Sequence, residues 1–184
     1  MKSGEWRQRP HKKRDKKMAE KIITRSQLIN YFKAVATGLK PLNPGKGTPH
    51  FYEFQEFFTG RNLSYPAMIM LPVENKIDDS LSDNILKQFS VVIWILDNVK
   101  KDDLNDRIKK LSLTEQITEQ VIAKIKKDQA DFSLGSSRPF FSLDLSSIKY
   151  SELGPEQNDN LHGHALEFSF ENPKSFTLDL SLWH

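Results

Sequence analysis

The residue types best suited to chemistry in this sequence are the two histidines of the segment His162-Gly-His164. Side chains at positions i and i+2 of a strand point to the same face, so both imidazoles could approach one metal ion, with His50 or His184 as a third ligand. Zinc sites usually need three or four converging ligands, and the chain has no cysteine and no E-x-x-H spacing. We therefore expect ordinary turn and surface histidines, with no metal or other cofactor.

Two other segments resemble ligand loops but lack the required spacing. Residues 45–48, Gly-Lys-Gly-Thr, do not complete the G-x-x-x-x-G-K-[ST] pattern of a phosphate loop, and no apolar strand leads into them. The acidic segment 102–106 lacks the glycine and the final glutamate of a calcium loop, which favours a solvated connector. A G-x-S-x-G elbow and a paired-carboxylate pattern are also missing. The sequence thus predicts that the protein is not an enzyme, and a small enzyme with an unrecognised site is the disfavoured alternative.

Charge is divided unevenly along the chain. Residues 1–25 carry ten Lys or Arg against three acidic residues, a balance of +7, whereas the rest carries 17 against 21, a balance of −4. Such a basic arm can contact nucleic-acid phosphates or an acidic protein surface, and Trp6 could stack on a base; a solvated leader is the alternative. The candidate contact residues are Arg7, Arg9, Lys12, Lys13, Arg14, Lys16 and Lys17. Met18 resembles a natural start, which leaves open that part of the arm is an upstream extension.

Two segments have the pattern of amphipathic helices. Thr24 and Gln27 form a T-x-x-Q capping pattern, which predicts a helix over residues 26–37. An S-x-x-E capping box at Ser112 precedes the main helix, residues 114–127, whose C-terminal lysines suit the helix dipole. The apolar stripe of the main helix consists of Ile117, Val121, Ile122 and Ile125.

The remaining apolar segments have the patterns of strands. Residues 65–71 predict a buried strand entered through Pro66, and residues 88–96 predict a longer strand that is apolar on both faces. The aromatic segment 50–59 fits either a short helix, which we favour, or a strand. Three alternating, half-buried antiparallel strands are expected at residues 141–146, 165–170 and 176–182. Polar connectors occupy residues 73–84 and 97–110, and the second has spacing that allows an extra turn or two of helix.

The α-β-β-α-β-β order of these elements predicts an α+β fold, a mostly antiparallel twisted sheet packed against one or two amphipathic helices. Residues 1–21 are expected to form a flexible basic arm and residues 22–184 a single domain. The longest uninterrupted apolar run, residues 91–96, is far too short to span a bilayer, and no apolar segment follows the basic N-terminus. No membrane partner is therefore expected.

The strand at residues 88–96 also suggests a contact with a partner. A strand that is apolar on both faces is either covered twice or presents one face to another subunit, and few helices are available here to cover the second face. Burial of Trp94 in the core is the alternative. The predicted subunit-interface residues are Val92, Trp94 and Leu96 in the strand, with Asp102 and Asp103 in the connector that follows it.

The order of elements and three local stretches resemble the tail-terminator and tail-completion (head–tail joining) proteins of tailed phages. The stretches are residues 63–70 (LSYPAMIM), 82–93 (SDNILKQFSVVI) and 158–170 (NDNLHGHALEFSF). The last stretch resembles the closing strand of that family, in which a polar N-D-N turn, a glycine and an alternating strand recur. The resemblance covers about residues 26–172 and leaves out the basic arm and residues 176–183.

The resemblance implies a structural virion protein that forms a ring, typically a hexamer, at the head-proximal end of the tail. Such a ring ends polymerisation of the tail tube and joins the tail to the neck, through a heterologous interface that closes on itself. The implied partners are further copies of the chain, the tail tube and neck or connector proteins, in the virion after assembly in the host cytoplasm. A neck or head-completion connector, which reuses the same fold, is one alternative, and a DNA-binding packaging accessory acting through the basic arm is another.

Overall fold

A central mixed sheet organises the part of the chain that the structure, a computed structural model, describes. The described residues are 24–60, 62–78, 86–131, 140, 142–156 and 160–173. In chain order the elements are α1 Arg25–Gly38, β1 Phe51–Glu53, α2 Phe54–Thr59, β2 Ala67–Met70, β3 Glu74–Asp78, β4 Leu86–Asn98, α3 Leu104–Gln129, β5 Lys149–Glu156 and β6 Leu161–Pro173. Short 3-10 turns at Lys40–Leu42 and Leu145–Ser147 precede β1 and β5. The basic arm and the predicted strand at residues 176–182 lie outside the described residues.

The two longest strands lie at the centre of the sheet. The strand order is β1-β2-β4-β6-β5, and β3 pairs with β4 on the edge that β2 also uses. All of these pairings are antiparallel except the one between β1 and β2, which is parallel. The predicted α+β class with a mostly antiparallel sheet is therefore confirmed. The structure adds the strands β1, β3 and β5 to the predicted order of elements.

The core lies between the sheet and the two longer helices. We call the sheet face that α1 and α3 cover the inner face. Strands β4 and β6 pair over 13 residues each, so their alternating apolar residues lie side by side on this face. The rings of Phe89 and Phe170, which are opposite each other in the register, are stacked with centroids 4.9 Å apart. The inner-face residues of the two strands are Phe89, Val91, Ile93, Ile95, Leu166, Phe168 and Phe170.

Local capping fixes the start of each long helix. Thr24 and Gln27 form the predicted capping box of α1, which confirms that helix to within one residue at each end. The start predicted for the main helix at Ser112 is wrong, because α3 begins at Leu104, whereas the extra turns of helix allowed for residues 97–110 are present. The Asp103 carboxylate accepts a hydrogen bond from the Asp106 N–H at 2.9 Å and caps the helix about two turns earlier. The predicted stripe of α3 is correct, with Ile117, Val121 and Ile125 buried and Ile122 half-buried.

Three of the predicted segments differ in the structure. The aromatic segment 50–59 is divided between β1 and α2, so that Phe57 is buried whereas Phe58 is exposed. The connector predicted at residues 73–84 contains β3, which is stabilised by its register with residues 86–90 of β4 and not by an apolar pattern of its own. Within the strand predicted at residues 141–146, the described residues 142–146 do not form a strand.

A side-chain hydrogen bond explains the missing strand. The Asp144 carboxylate accepts from the Ser146 N–H at 2.8 Å and from the Ser146 hydroxyl at 2.7 Å, which bends the backbone into a 3-10 turn. The same two bonds hold the pKa of Asp144 below its ordinary value. Strand β5 begins only after this turn, at Lys149, in a segment where no strand was predicted.

Candidate functional site

The outer face of the sheet, opposite α1 and α3, carries two of the predicted interface residues. Val92 and Trp94 lie near the middle of β4 and are both half-buried. Trp94 is flanked by Ile69 of β2 and Ala165 of β6, whereas Val92 lies opposite the exposed Glu167. Helix α2 covers one end of this face and leaves these central positions partly accessible.

Leu96 has no surface to offer a partner in this structure. It is completely buried in a second apolar cluster on the outer face, with Phe57 of α2, Ala67, Ile69 and Leu161. Aromatic and aliphatic side chains next to this cluster, Trp94 among them, are only partly buried. Helix α2 thus covers the outer-face apolar residue at the C-terminal end of β4, Leu96. The candidate interface on the outer face is reduced to Val92 and Trp94.

Asp102 and Asp103 do not join this surface. They belong to the turn that begins α3, and α3 packs on the inner face. Asp103 is the N-cap of the helix, and the Asp106 carboxylate accepts from the Lys100 N–H at 2.8 Å. The segment 102–106, predicted as a solvated connector, is exposed at residues 102, 104 and 105, but its last three residues begin α3 and Asp103 caps that helix. The basic residues from Arg7 to Lys17 lie outside the described residues.

A set of polar side chains lies where the first half of α3 meets the sheet, and all of them except Lys110 are buried. We call it the polar cluster; it consists of Asp97, Lys110, Thr114, Thr118, His162 and His164. Asp97 is only 1 % exposed. Its two carboxylate oxygens lie 3.1 and 3.0 Å from the Lys110 ammonium nitrogen, and the first of them also accepts from the Asn98 N–H at 2.8 Å. Pairing and hydrogen bonding together make the burial of this charge possible.

His164 and two threonines form the next layer of the cluster. The Thr114 hydroxyl lies 3.0 Å from the Leu111 carbonyl and 3.0 Å from Nδ1 of His164. Because the hydroxyl donates its single proton to the carbonyl, Nδ1 of His164 is the donor in the second contact. The Thr118 hydroxyl donates to the Thr114 carbonyl at 2.8 Å. These bonds satisfy side chains that occupy apolar positions of the α3 stripe.

His162 is the least satisfied member of the polar cluster. It is 6 % exposed, and its Nδ1 is buried without a hydrogen-bond partner. The ring packs against Gly154 in the bulge of β5, where an added Cβ would lie 2.5 Å from Nδ1. Burial and the nearby Arg107 guanidinium lower the pKa of His162, whereas Glu152 acts in the opposite direction.

The expectation of turn and surface histidines at these positions is wrong, because His162 and His164 are both buried within β6. A signal for this was present in the sequence. The alternation of Leu166, Phe168 and Phe170, extended backwards by two steps, puts both histidines on the inner face. Thr114 and Thr118 likewise lie beside Ile117 and Val121 in the helical stripe.

Two surface clefts flank α3. One, of about 280 Å³, lies at its N-terminus, and His162 and Arg107 line it together with Val99, Lys100, Asp102, Asp103, Leu104 and Asn160. The other, of about 310 Å³, is an apolar groove between α1 and the second half of α3, lined by Val35, Leu39 and Ala123 among others. Among the described residues no three His, Asp or Glu side chains are grouped as metal ligands would be. No helix in the same part of the chain is both long and apolar enough to cross a bilayer.

No protein-family model matches the chain, and no curated protein is significantly similar to it.

Proposed function

We propose that this protein is a structural subunit of a phage or phage-like tail. It forms a ring at the head-proximal end, ends growth of the tail tube and provides the surface to which the neck attaches. On this proposal the protein acts by steric contact and not by catalysis, and its partners are copies of itself, the tube and the neck. It would reside in the virion after assembly in the host cytoplasm. The proposal rests on the resemblance in residues 26–172 and on an α+β fold compatible with it.

The observation that carries the proposal is the partial cover of the outer face. Val92 and Trp94 lie in β4, which has neighbours on both edges, so they are not at the margin of the sheet. Apolar side chains in the middle of a sheet are normally covered, and here α2 covers only the end near Leu96. A second subunit packed over Val92 and Trp94 would complete the burial.

A ring also requires that the two contacting surfaces of each subunit differ. Contacts of this heterologous kind either close into a ring or continue as an open filament. The outer face supplies one half of such a contact, an apolar centre bordered by the exposed Glu167 and Ser151. An apolar centre with a polar rim is the usual composition of a protein–protein interface.

The particle mass and shape of the full chain test the proposal. We expect a single assembled species by sedimentation or mass photometry, and a ring with a central opening by negative-stain electron microscopy. Val92→Lys should shift the protein to the monomer, because it puts an ammonium into the interface. The subunit should still fold, since the new lysine faces Glu167 across the strand pair.

The matched control is Ile77→Lys, in which lysine replaces an exposed aliphatic residue in β3. This variant should assemble as the wild type does. A wild-type chain that remains monomeric at its solubility limit contradicts the proposal. A ring that survives Val92→Lys and is lost in Ile77→Lys contradicts the assignment of the outer face.

The uneven distribution of charge along the chain favours a second function. The +7 balance of residues 1–25 would allow contact with DNA during packaging or at the neck. Binding of the full chain to duplex DNA should weaken steeply with salt. The triple variant Arg14→Glu, Lys16→Glu, Lys17→Glu should lower the slope of log affinity against log salt by up to about 3.

Reversal of two lysines in the body, Lys100→Glu and Lys101→Glu, is the control, and it should leave DNA binding as it is in the wild type. DNA binding by a protein that forms no ring would favour the packaging accessory over the tail terminator. A ring that binds neither tube nor DNA would favour the neck connector.

A further inference from the structure

We propose that protonation of His162 releases the first two turns of α3, residues 104–111, from the sheet, so that the polar cluster acts as an acid-sensitive latch. This inference does not depend on ring formation, and it applies to the isolated subunit.

The first two turns of α3 are held to the sheet by polar contacts. Arg107 lies 3.2 Å from the Glu152 carboxylate, and Lys110 pairs with both oxygens of Asp97. Two of the three leucine and isoleucine side chains in these turns do not pack on the sheet, since Leu104 and Ile108 are 68 % and 57 % exposed, and Leu111 is only half-buried. Contacts of α3 with the main apolar core begin at Leu113. A helix segment attached in this way can open locally while the rest of the helix stays packed.

His162 lies directly beneath these turns, among groups that are already paired. It is opposite Asp97 in the β4–β6 register and next to Arg107 and Glu152. Asp97 is committed to Lys110, and Glu152 is committed to Arg107. The charged and titratable groups around His162 are Asp97 on β4, Lys100, Asp102 and Asp103 on the turn before α3, Arg107 and Lys110 on α3, Glu152 on β5 and His164 on β6.

The chemistry of the ring makes it sensitive to acid. In the neutral imidazole one nitrogen is protonated and the other is not. Nδ1 is the unprotonated nitrogen, because a buried acceptor without a partner costs less free energy than a buried N–H without a partner. Protonation puts an N–H at Nδ1, facing Gly154, and adds a positive charge beside Arg107. Both changes are relieved when the ring takes Glu152 as its partner, which breaks the Arg107 contact and leaves the Lys110–Asp97 pair to hold these turns, so that they open more often.

Amide hydrogen exchange of the full chain tests the latch. Protection factors, corrected for the intrinsic effect of pH, are measured at pH 7.5 and at pH 5.0, which is above the ordinary range of carboxyl pKa values. In the wild type the amides of residues 107–111 should lose protection severalfold at pH 5.0, whereas those of Val121 and Ile125 in the same helix should keep theirs. His162→Gln, which carries no titratable group, should show the same protection at both pH values.

The control is His50→Gln. His50 is also partly buried and also uses Nδ1, which lies 3.0 Å from the Pro66 carbonyl, but it belongs to the opposite edge of the sheet. This variant should retain the acid-induced loss at residues 107–111. An independent readout is the Cε1 resonance of His162 in the wild type, whose titration should follow the loss of protection.

Three results would overturn the latch. The first is an equal loss of protection in His162→Gln, and the second is full protection of residues 107–111 in the wild type at a pH at which the His162 resonance shows that the ring is protonated. The third, which remains available if His162→Gln does not fold, is a His162 resonance that stays in its neutral position while protection is lost. Loss of the ring in the assembly experiment would leave all three readouts in place.

Discussion

Lys110 and Asp97 form a bidentate ion pair that ties the first half of α3 to the C-terminal end of β4. The two partners differ in environment, because the Asp97 side chain is 1 % exposed whereas the Lys110 side chain is 31 % exposed. The pair therefore couples one deeply buried charge to one that can reach water. The consequence of removing each partner should differ accordingly.

Lys110→Met should destabilise the protein more than Asp97→Asn does. The first variant leaves a buried carboxylate with only the Asn98 N–H as a partner, a loss of about 3 kcal/mol. The second leaves an ammonium that can be hydrated and an amide that still accepts from Asn98, a loss of about 1.5 kcal/mol. Urea denaturation at neutral pH measures both free energies of unfolding. The reverse order would mean that the ammonium, and not the carboxylate, is the group that depends on the pair.

Gly163 is required by the close approach of β4 and β6. A Cβ at this position would lie 1.9 Å from the Ile95 carbonyl oxygen, a backbone atom that cannot move without disturbing the strand pair. Gly163→Ala should therefore lower the free energy of unfolding by about 3 kcal/mol. Gly38→Ala is the matched control, because nothing lies within 4 Å of its added methyl group at the end of α1. It should be neutral or stabilising by about 0.5 kcal/mol, and thermal melts of the two variants give the comparison.

Tyr31 connects α1 to the C-terminal end of α3. Its hydroxyl donates to the Asp128 carboxylate at 2.9 Å, and Asp128 is also paired with Lys124. Burial and the Asp128 charge raise the pKa of Tyr31 well above its ordinary value, so the hydroxyl remains a donor throughout the usual pH range. Tyr31→Phe should reduce the free energy of unfolding by about 1.5 kcal/mol.

The aromatic contacts of Tyr31 provide the reason for choosing phenylalanine. Its ring packs edge-on against the ring of Phe140, with the centroids 4.9 Å apart. A phenylalanine at position 31 retains that contact and loses only the hydroxyl. Tyr150→Phe, at an exposed position on β5, is the control and should change the unfolding free energy by less than about 0.5 kcal/mol. Equal losses in the two variants, measured by urea denaturation, would show that the Asp128 contact contributes nothing.

The sequence predicted those features that local patterns determine. The Thr24 capping box, the stripe of Ile117, Val121 and Ile125, and the alternation in β4 and β6 all depend on residues within a few positions of one another. Features that depend on distant residues were not predicted. Strand β3 has a polar sequence and is a strand because β4 extends far enough to pair with it.

The polar cluster was missed for a related reason. A buried histidine or aspartate is tolerable only with a partner, and Lys110 and Thr114 are 13 and 50 positions away from Asp97 and His164 respectively. The residues adjacent to Asp97 and His164 in the sequence do not indicate which residue will be the partner. The face of a strand can be predicted from alternation, but whether a polar residue on that face is satisfied depends on which helix packs over it.

The free energy of unfolding should rise with pH because of His162. Its pKa in the folded protein is lowered from the ordinary value of 6.5, chiefly by burial and then by Arg107, with Glu152 opposing them. Between the lowered pKa and 6.5 the unfolded chain binds more protons than the folded chain, so an increase in pH stabilises the folded state. The gain is complete above 6.5, and it is absent below the pKa of the folded state.

The contribution of His162 is isolated by comparing variants. The difference in unfolding free energy between the wild type and His162→Gln, obtained from urea titrations at a series of pH values from 5.0 to 7.5, should increase in favour of the wild type as pH rises. The carboxylates and the other histidines titrate in both proteins, and their effects cancel in the difference. His50→Gln should give a pH profile parallel to that of the wild type. A difference that is independent of pH would mean that His162 has the same pKa in the folded and unfolded chains, and that its burial is offset by interactions with the charged form.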